Sequence, residues 1–333
     1  MFGRKGEIGV VITLVFFLVA PLLVYNVLSA KWISTFIAYM KEVPVEELSW
    51  FFQPKMISIL FTAFIFPICL LNDLSKLAIT SFVGLAFMCY VVGLVVVDLA
   101  FVSKVGENIH IVNNPGMGIF GCFATIMFAY NSHTSAVNLV SALNDKRPQG
   151  RIQLVTVSTL IATVFYCVFI ICGYLTVGDL MESEDDILSA RSSIGYQIAS
   201  IAVSLVCIFS YPILMFPART SIDWLLSLKL NKYPFWRNNQ FARTVIILVG
   251  FLSIVVPIAI FAAESAMLVL NFLSAVFGAI LMFLLPSMFM LKIKDQIKLK
   301  SWEKFGVYFN LGLGVVVLIG GLVGETLKVL DEK

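Results

Sequence analysis

The densest run of chemistry-bearing side chains in the sequence is Tyr130-Asn131-Ser132-His133-Thr134-Ser135. It follows an apolar stretch ending in Met127-Phe128-Ala129, so the polar positions fall near the middle of an otherwise hydrophobic segment. In lipid, polar groups at that depth are costly, and a continuous lipid-facing helix would not carry them. A helix that unwinds beside a water-lined cavity would, because its side chains and freed backbone groups can hold a zwitterionic solute. The competing reading is a polar helix-to-helix contact with His133 hydrogen-bonded inside the bundle. Hydrolytic chemistry finds no support. The chain has only His110 and His133, no paired-His zinc pattern and no phosphate-cradling glycine loop. Cys69, Cys89, Cys122, Cys167, Cys172 and Cys207 all fall in apolar runs and read as small buried side chains, so neither a disulfide, a metal site nor a cofactor is expected.

A second cluster, Ser210-Tyr211-Pro212 with Phe216-Pro217-Ala218-Arg219, places two prolines five residues apart. Each removes a backbone donor and crowds the preceding turn, so this segment is predicted to kink or unwind, with Arg219 at the membrane surface. The short span that contains Pro67 should be broken, tilted or partly shielded by its neighbours. Gly278 and Pro286 mark a further hinge or close helix contact. Asp98 lies within about a turn of the end of its apolar run and reads as a carboxylate snorkelling to the interface.

The elements that must position these residues follow from composition. The chain is 60% hydrophobic and 13% charged, with a mean hydropathy of +0.97. That charge is roughly half what a soluble domain carries, which excludes a soluble enzyme. The aromatic content excludes disorder, and long unbroken apolar runs exclude an alternating membrane barrel. A net charge of +3 is too small to point to nucleic acid. Runs of about 20 apolar residues cross a bilayer, and nine appear. They run from Ile8 to Leu28, Lys55 to Leu71, Leu77 to Val102, Met117 to Leu143, Ile152 to Gly178, Ser193 to Pro217, Thr244 to Phe261, Met267 to Leu291 and Phe305 to Val323. The expected fold is an all-α polytopic membrane protein, with residues 1–333 forming a single transmembrane domain. With the amino terminus cytosolic, 16 of the 23 Lys and Arg residues fall on inner segments and 7 on outer ones, which orients the carboxyl terminus outward. Residues 218–243 alternate Leu and Trp with Lys and Arg, the pattern of a helix lying on the cytosolic surface.

At four places the sequence resembles the amino acid/auxin permease family, whose members include vacuolar and sodium-coupled neutral amino acid transporters. Phe66-Pro67 through Leu74-Ser75-Lys76 to Thr80-Ser81 is similar to a hairpin pattern of that family, and Phe128-Ala129-Tyr130-Asn131-Ser132-His133 followed by Pro148 to another of its segments. Gly173-Tyr174-Leu175-Thr176-Val177-Gly178 and Tyr211-Pro212 with Phe216-Pro217-Ala218-Arg219 resemble two further signatures, in the family's order and across most of the chain. The resemblance implies a permease with two five-helix inverted repeats and a substrate held between discontinuous helices near mid-membrane. Carried onto this sequence, it makes Phe128, Tyr130, Asn131, Ser132 and His133 the substrate-binding candidates. Ser210 becomes the ion-coupling candidate, and Pro67, Pro212, Pro217 and Gly278 the hinges. Sodium-driven relatives often carry a second hydroxyl two residues before the position of Ser210, where this chain has Ile208, so coupling to H+ or to Na+ stays open.

The implied function is secondary active transport of amino acids, of the neutral class, as a symporter or antiporter. The expected setting is a multi-pass protein of a vacuolar, lysosomal or plasma membrane of a eukaryote. The different-class alternative is a non-transporting, transporter-like sensor or scaffold, or a truncated inactive permease. Aligned with the family, the sequence starts at its third helix. The expected origin of the two absent helices is a misassigned start or lost exon; a degenerate copy and a shortened permease completed by homo-oligomerisation are the alternatives.

Overall fold

The computed structural model describes residues 3–71, 78–102, 122, 125–126, 129–132, 134, 148–178, 186–191, 193–261, 263, 266–293 and 299–331. Among them all regular structure is helical. The reason is solvent: in hydrocarbon an open strand edge leaves backbone polar groups unpaired, whereas a helix satisfies them within one segment. The helices are α1 (Gly3–Lys41), α2 (Pro54–Cys69), α3 (Ala78–Val97), α4 (Pro148–Val177), α5 (Ile194–Leu230), α6 (Pro234–Asn238), α7 (Gln240–Phe261), α8 (Ala266–Leu273), α9 (Leu285–Ile293) and α10 (Ser301–Asp331). Seven helical stretches among the described residues are long and apolar enough to cross a membrane, and α2 is a shorter apolar helix. The fourth expected span, Met117 to Leu143, lies mostly outside the described residues. Outward faces carry Phe82, Phe101, Ile152, Leu160, Phe261 and Phe309, the exterior of a protein solvated by lipid.

Several boundaries differ from the expected ones. Helix α1 runs 39 residues, about 58 Å at 1.5 Å per residue, nearly twice the thickness of a hydrocarbon core. Its extension carries Trp32 and Ala38 on a buried side and exposed Tyr39 and Met40, so packing carries the helix past the apolar run. Pro67 does not break α2 midway. It stands two residues from the end, where the Leu70 N–H bonds to the Pro67 carbonyl at 3.3 Å and closes the last turn.

The proline pair does not unwind its helix either. Helix α5 passes through Pro212 and Pro217 and continues to Leu230 over 37 residues. Arg219 is buried rather than placed at a surface, with its guanidinium 5.1 Å from the centre of the Phe216 ring. The segment expected to carry a helix at the cytosolic surface comprises the end of α5 and the short α6. Trp236 donates through Nε1 to the Ser227 hydroxyl at 3.1 Å, and Arg243 pairs with Asp223 at 3.4 Å, which ties the start of α7 to the end of α5.

Backbone contacts divide the chain into two units. The first comprises Met1–Val24, Asn114–Ser135 and Leu214–Lys333, and the second Tyr25–Asn113 and Ala136–Ile213. Within the first, α8 and α9 are joined by two widened π turns, Ser274–Gly278 and Ile280–Leu284. Pro286 follows directly. A proline ring clashes with the carbonyl four residues back, and a π turn moves that carbonyl away, so the wide turn accommodates the ring without breaking the helix. Helix α10 packs closely here: a β-carbon on Gly314 would stand 2.6 Å from Phe283 Cβ, and one on Gly321 2.8 Å from Ala275 Cβ. Asn310 donates to the Phe283 carbonyl at 3.2 Å and to the Ser287 hydroxyl at 3.0 Å. Gly278 is buried against Phe17, whose ring edge would lie 3.3 Å from an added β-carbon.

In the second unit, the interior formed by α1, α3 and α5 centres on Trp32, Val91, Val95, Tyr196, Ala199, Ala202 and Cys207. Helix α1 is pinned to α2 by a polar triad. The Asn26 amide donates to the Thr62 hydroxyl at 2.8 Å, the Ser58 hydroxyl donates to the Asn26 amide oxygen, and the Thr62 hydroxyl bonds to the Ser58 carbonyl at 2.9 Å.

Candidate functional site

The polar cluster coincides with a change in backbone geometry. Ala129 is helical, Tyr130 lies in a turn, Asn131 and Ser132 have no regular structure, and Thr134 is helical again. The Tyr130 N–H closes the preceding helical turn on the Ile126 carbonyl at 3.1 Å. The Ser132 N–H folds back onto the Tyr130 carbonyl at 2.8 Å. The Asn131 side-chain oxygen then accepts from the Thr134 hydroxyl at 3.4 Å, the reach of a residue standing at the start of a new helical turn. Asn, Ser and Tyr suit this role because short polar side chains replace the ladder bonds that a break gives up. Tyr130 and Asn131 are half-buried and Ser132 is exposed. Phe128 and His133 lie outside the described residues. One turn earlier, the Thr125 hydroxyl donates to the side-chain oxygen of Asn271 on α8 at 3.4 Å, within the same unit.

Ser210 sits half-buried in α5 and belongs to the second unit, whereas Tyr130, Asn131 and Ser132 belong to the first. Other hydroxyls on α5 are spoken for locally: Ser200 donates to the Tyr196 carbonyl at 3.0 Å and Ser204 to the Ser200 carbonyl at 2.9 Å. Beside Ser210, Tyr211 is fully buried. Its ring meets Phe61 edge-on at 5.9 Å, and its hydroxyl has no hydrogen-bond partner among the described residues. Of the hinge candidates, Pro67 and Pro212 fall in the second unit and Pro217 and Gly278 in the first. A cavity of about 570 Å³ in the first unit, lined by Gly6, Glu7, Val10, Val11, Thr220, Ser221, Trp224 and Phe289, involves none of the candidate residues.

Asp98 departs from its expected role. It is 6% exposed, within a π turn spanning Asp98–Val102 at the end of α3, and it does not snorkel. Its carboxylate accepts from the Tyr196 hydroxyl at 2.8 Å and lies 3.6 Å from Arg191 Nε. A neighbouring pair joins Lys31 to Asp186 at 3.6 Å. These partners were missed in the sequence because Asp186 and Arg191 stand in a loop of mixed charge. The available signal was an acidic residue inside an apolar run, which in low dielectric needs a cationic partner from another element.

Seven helical stretches long and apolar enough to cross a bilayer, among the described residues alone, define an integral multi-pass membrane protein. The family model for transmembrane amino acid transporter proteins matches residues 1–326, and the chain belongs to that family. It is 30% identical over 207 residues to sodium-coupled neutral amino acid transporter 4 of Pongo abelii, covering 59% of this chain and 35% of the relative. It is 25% identical over 202 residues to sodium-coupled neutral amino acid symporter 2 of Danio rerio, covering 59% and 38%. The same relation holds for transporter 7 of that series from Bos taurus, 26% identical over 180 residues, covering 53% and 39%. The matched stretch thus spans little more than a third of the length of these curated relatives.

Proposed function

We propose that this chain carries amino acids of the neutral class across a membrane by alternating access. The observation that supports the reading best is the helix break at Tyr130–Ser132, inside the segment that resembles the family's central polar motif. A break at that point presents backbone N–H and C=O groups together with the Tyr130, Asn131 and Ser132 side chains, which matches the opposed charges of an amino acid's ammonium and carboxylate. Relatives whose names describe sodium-coupled neutral amino acid transport support the substrate class. The coupling ion on this reading is H+ or Na+, with Ser210 the candidate contact. The charge distribution gives a cytosolic amino terminus and an outward carboxyl terminus.

The deciding experiment is uptake of a panel of radiolabelled amino acids into proteoliposomes at two pH values, with and without sodium. Uptake of neutral members that depends on one of the two gradients is the expected result. Binding without flux or counterflow would replace carrier by sensor. At the level of the site, His133→Ala is expected to raise the half-saturating substrate concentration or weaken gradient dependence, with membrane insertion unchanged. Unaltered kinetics would return His133 to a packing role.

A further inference from the structure

We infer that residues 186–191 form a latched strap across helix ends of the second unit, with the ion pair between buried Asp98 and partly exposed Arg191 as its release point. Every described contact of the segment is tied down. The Asp186 carboxylate accepts from the Ser189 N–H at 2.9 Å and from its hydroxyl at 2.9 Å, and pairs with Lys31 of α1 at 3.6 Å. Ile187 fills the space left by the missing side chain of Gly173 on α4: its Cδ1 lies 2.5 Å from where a β-carbon would stand. Leu188 is buried with Trp32, Val91, Val95 and Tyr196. The Ala190 N–H closes one turn on the Asp186 carbonyl at 3.2 Å. Arg191 donates through Nη2 to the Thr176 carbonyl of α4 at 2.8 Å and stands 3.6 Å from Asp98 at the end of α3. Six residues therefore hold α1, α3, α4 and α5 together.

A loop that only joined α4 to α5 would not require buried charge. Taking the Asp98 carboxylate out of water costs several kcal/mol, and good geometry with a partner is needed to recover it, while Arg191 stays partly exposed. Here the geometry is incomplete, because Arg191 Nε has no hydrogen-bond partner among the described residues. Apolar side chains of similar volume would hold a permanent closure at least as well, so the pair is suited to a contact that separates and re-forms. The Lys31–Asp186 pair is more exposed and correspondingly weaker, and it gives way first. On the proposed carrier reading, opening this strap admits solute from the non-cytosolic side; the latch itself does not depend on that reading.

The test uses the full chain with Ala190→Cys as a reporter, labelled by a membrane-impermeant maleimide against the parent without the reporter. Slow labelling is expected with the latch intact. Arg191→Gln or Asp98→Asn should raise the rate about tenfold, and the two together no further, because either one releases the same contact. Lys31→Gln should raise it by a smaller factor. Helix content is followed in parallel. If Arg191→Gln and Asp98→Asn lose it, Lys31→Gln decides, since neither member of its pair is as buried as Asp98. Labelling unchanged in folded variants would overturn the latch, as would a parent reporter that labels as fast as in detergent-denatured protein. A second arm places Lys31→Cys with Asp186→Cys and bridges them with a short reversible thiol cross-linker. Amino acid uptake that stops on bridging and returns on reduction supports opening of the strap during transport, whereas uptake that continues refutes it. A parent without uptake would count against the carrier reading, leaving the labelling arm to decide the latch.

Discussion

Asn26 shows how single polar residues fix helix contacts when lipid removes the usual driving force. Between two helices in hydrocarbon, burying apolar surface gains little, so interhelical hydrogen bonds and close packing set the arrangement. Asn26 is completely buried and joins both Ser58 and Thr62. Asn26→Ala is expected to lower stability by about 1–2 kcal/mol, measured by detergent-induced unfolding, because it removes two bonds and leaves a buried hydroxyl unsatisfied. Adding Ser58→Ala to that variant should cost little more, since the bond it would break is already gone; additive losses would mean that the triad does not act as a unit. Asp98 follows the same logic with charge in place of an amide. Both residues were visible in the sequence as polar positions in apolar runs, but their partners were not. Thr62, Ser58, Tyr196 and Arg191 are tens of residues away, and only the packing of one helix on another selects them.

At the scale of elements, apolar runs located the spans, and the physical reason is that lipid leaves a chain of this composition no alternative to helix. Where each helix ends was less legible, because tertiary contacts act on residues outside the run. Helix α1 continues to Lys41 and α5 to Leu230 on buried contacts made beyond the hydrophobic stretch. The prolines followed a related rule: an absent donor unwinds a helix only when nothing else accommodates it, and α5 stays helical through Pro212 and Pro217. The break at Tyr130–Ser132 contains no proline, and its signal was polarity alone. The glycines of α10 supply an internal control on packing. Gly321→Ala places a methyl 2.8 Å from Ala275 Cβ, and Gly314→Ala places one 2.6 Å from Phe283 Cβ, both against the π-turn segment that precedes α9. Each should destabilise by about 1–3 kcal/mol. Gly306→Ala meets nothing within 4 Å and should be neutral or up to about 1 kcal/mol stabilising, through helix propensity. Equal effects at all three positions in a thermal unfolding series would contradict the tight contact between α10 and the π turns.

For the whole molecule, orientation follows from charge rather than from any contact. Lys and Arg within reach of the cytosolic leaflet resist translocation, and acidic residues carry little weight, so the asymmetry of 16 against 7 sets the proposed topology. Two of the inner groups flank the two helices that run longer than expected. Arg4 and Lys5 precede the span of α1, and Arg219, Lys229, Lys232, Arg237 and Arg243 surround the end of α5 and the α6 turn. Lys31 of α1 and Asp98 at the end of α3 are both paired with the 186–191 segment, so they share one end of the second unit, which the proposed topology places outside. Lys31 and Arg191, the cations of these pairs, are also two of the seven outer charges, so pairing and charge count are consistent. Epitope tags therefore give a direct check in sealed cells. A tag inserted after Lys232 should be reached by antibody only after permeabilisation, and a tag following Lys333 should be reached without it. Replacing Arg237 and Arg243 by Gln should leave that pattern in place, because Arg4, Lys5 and the remaining inner charges still outnumber the outer ones; inversion of both tags in the unaltered protein would reverse the proposed direction of the strap as well as that of the chain.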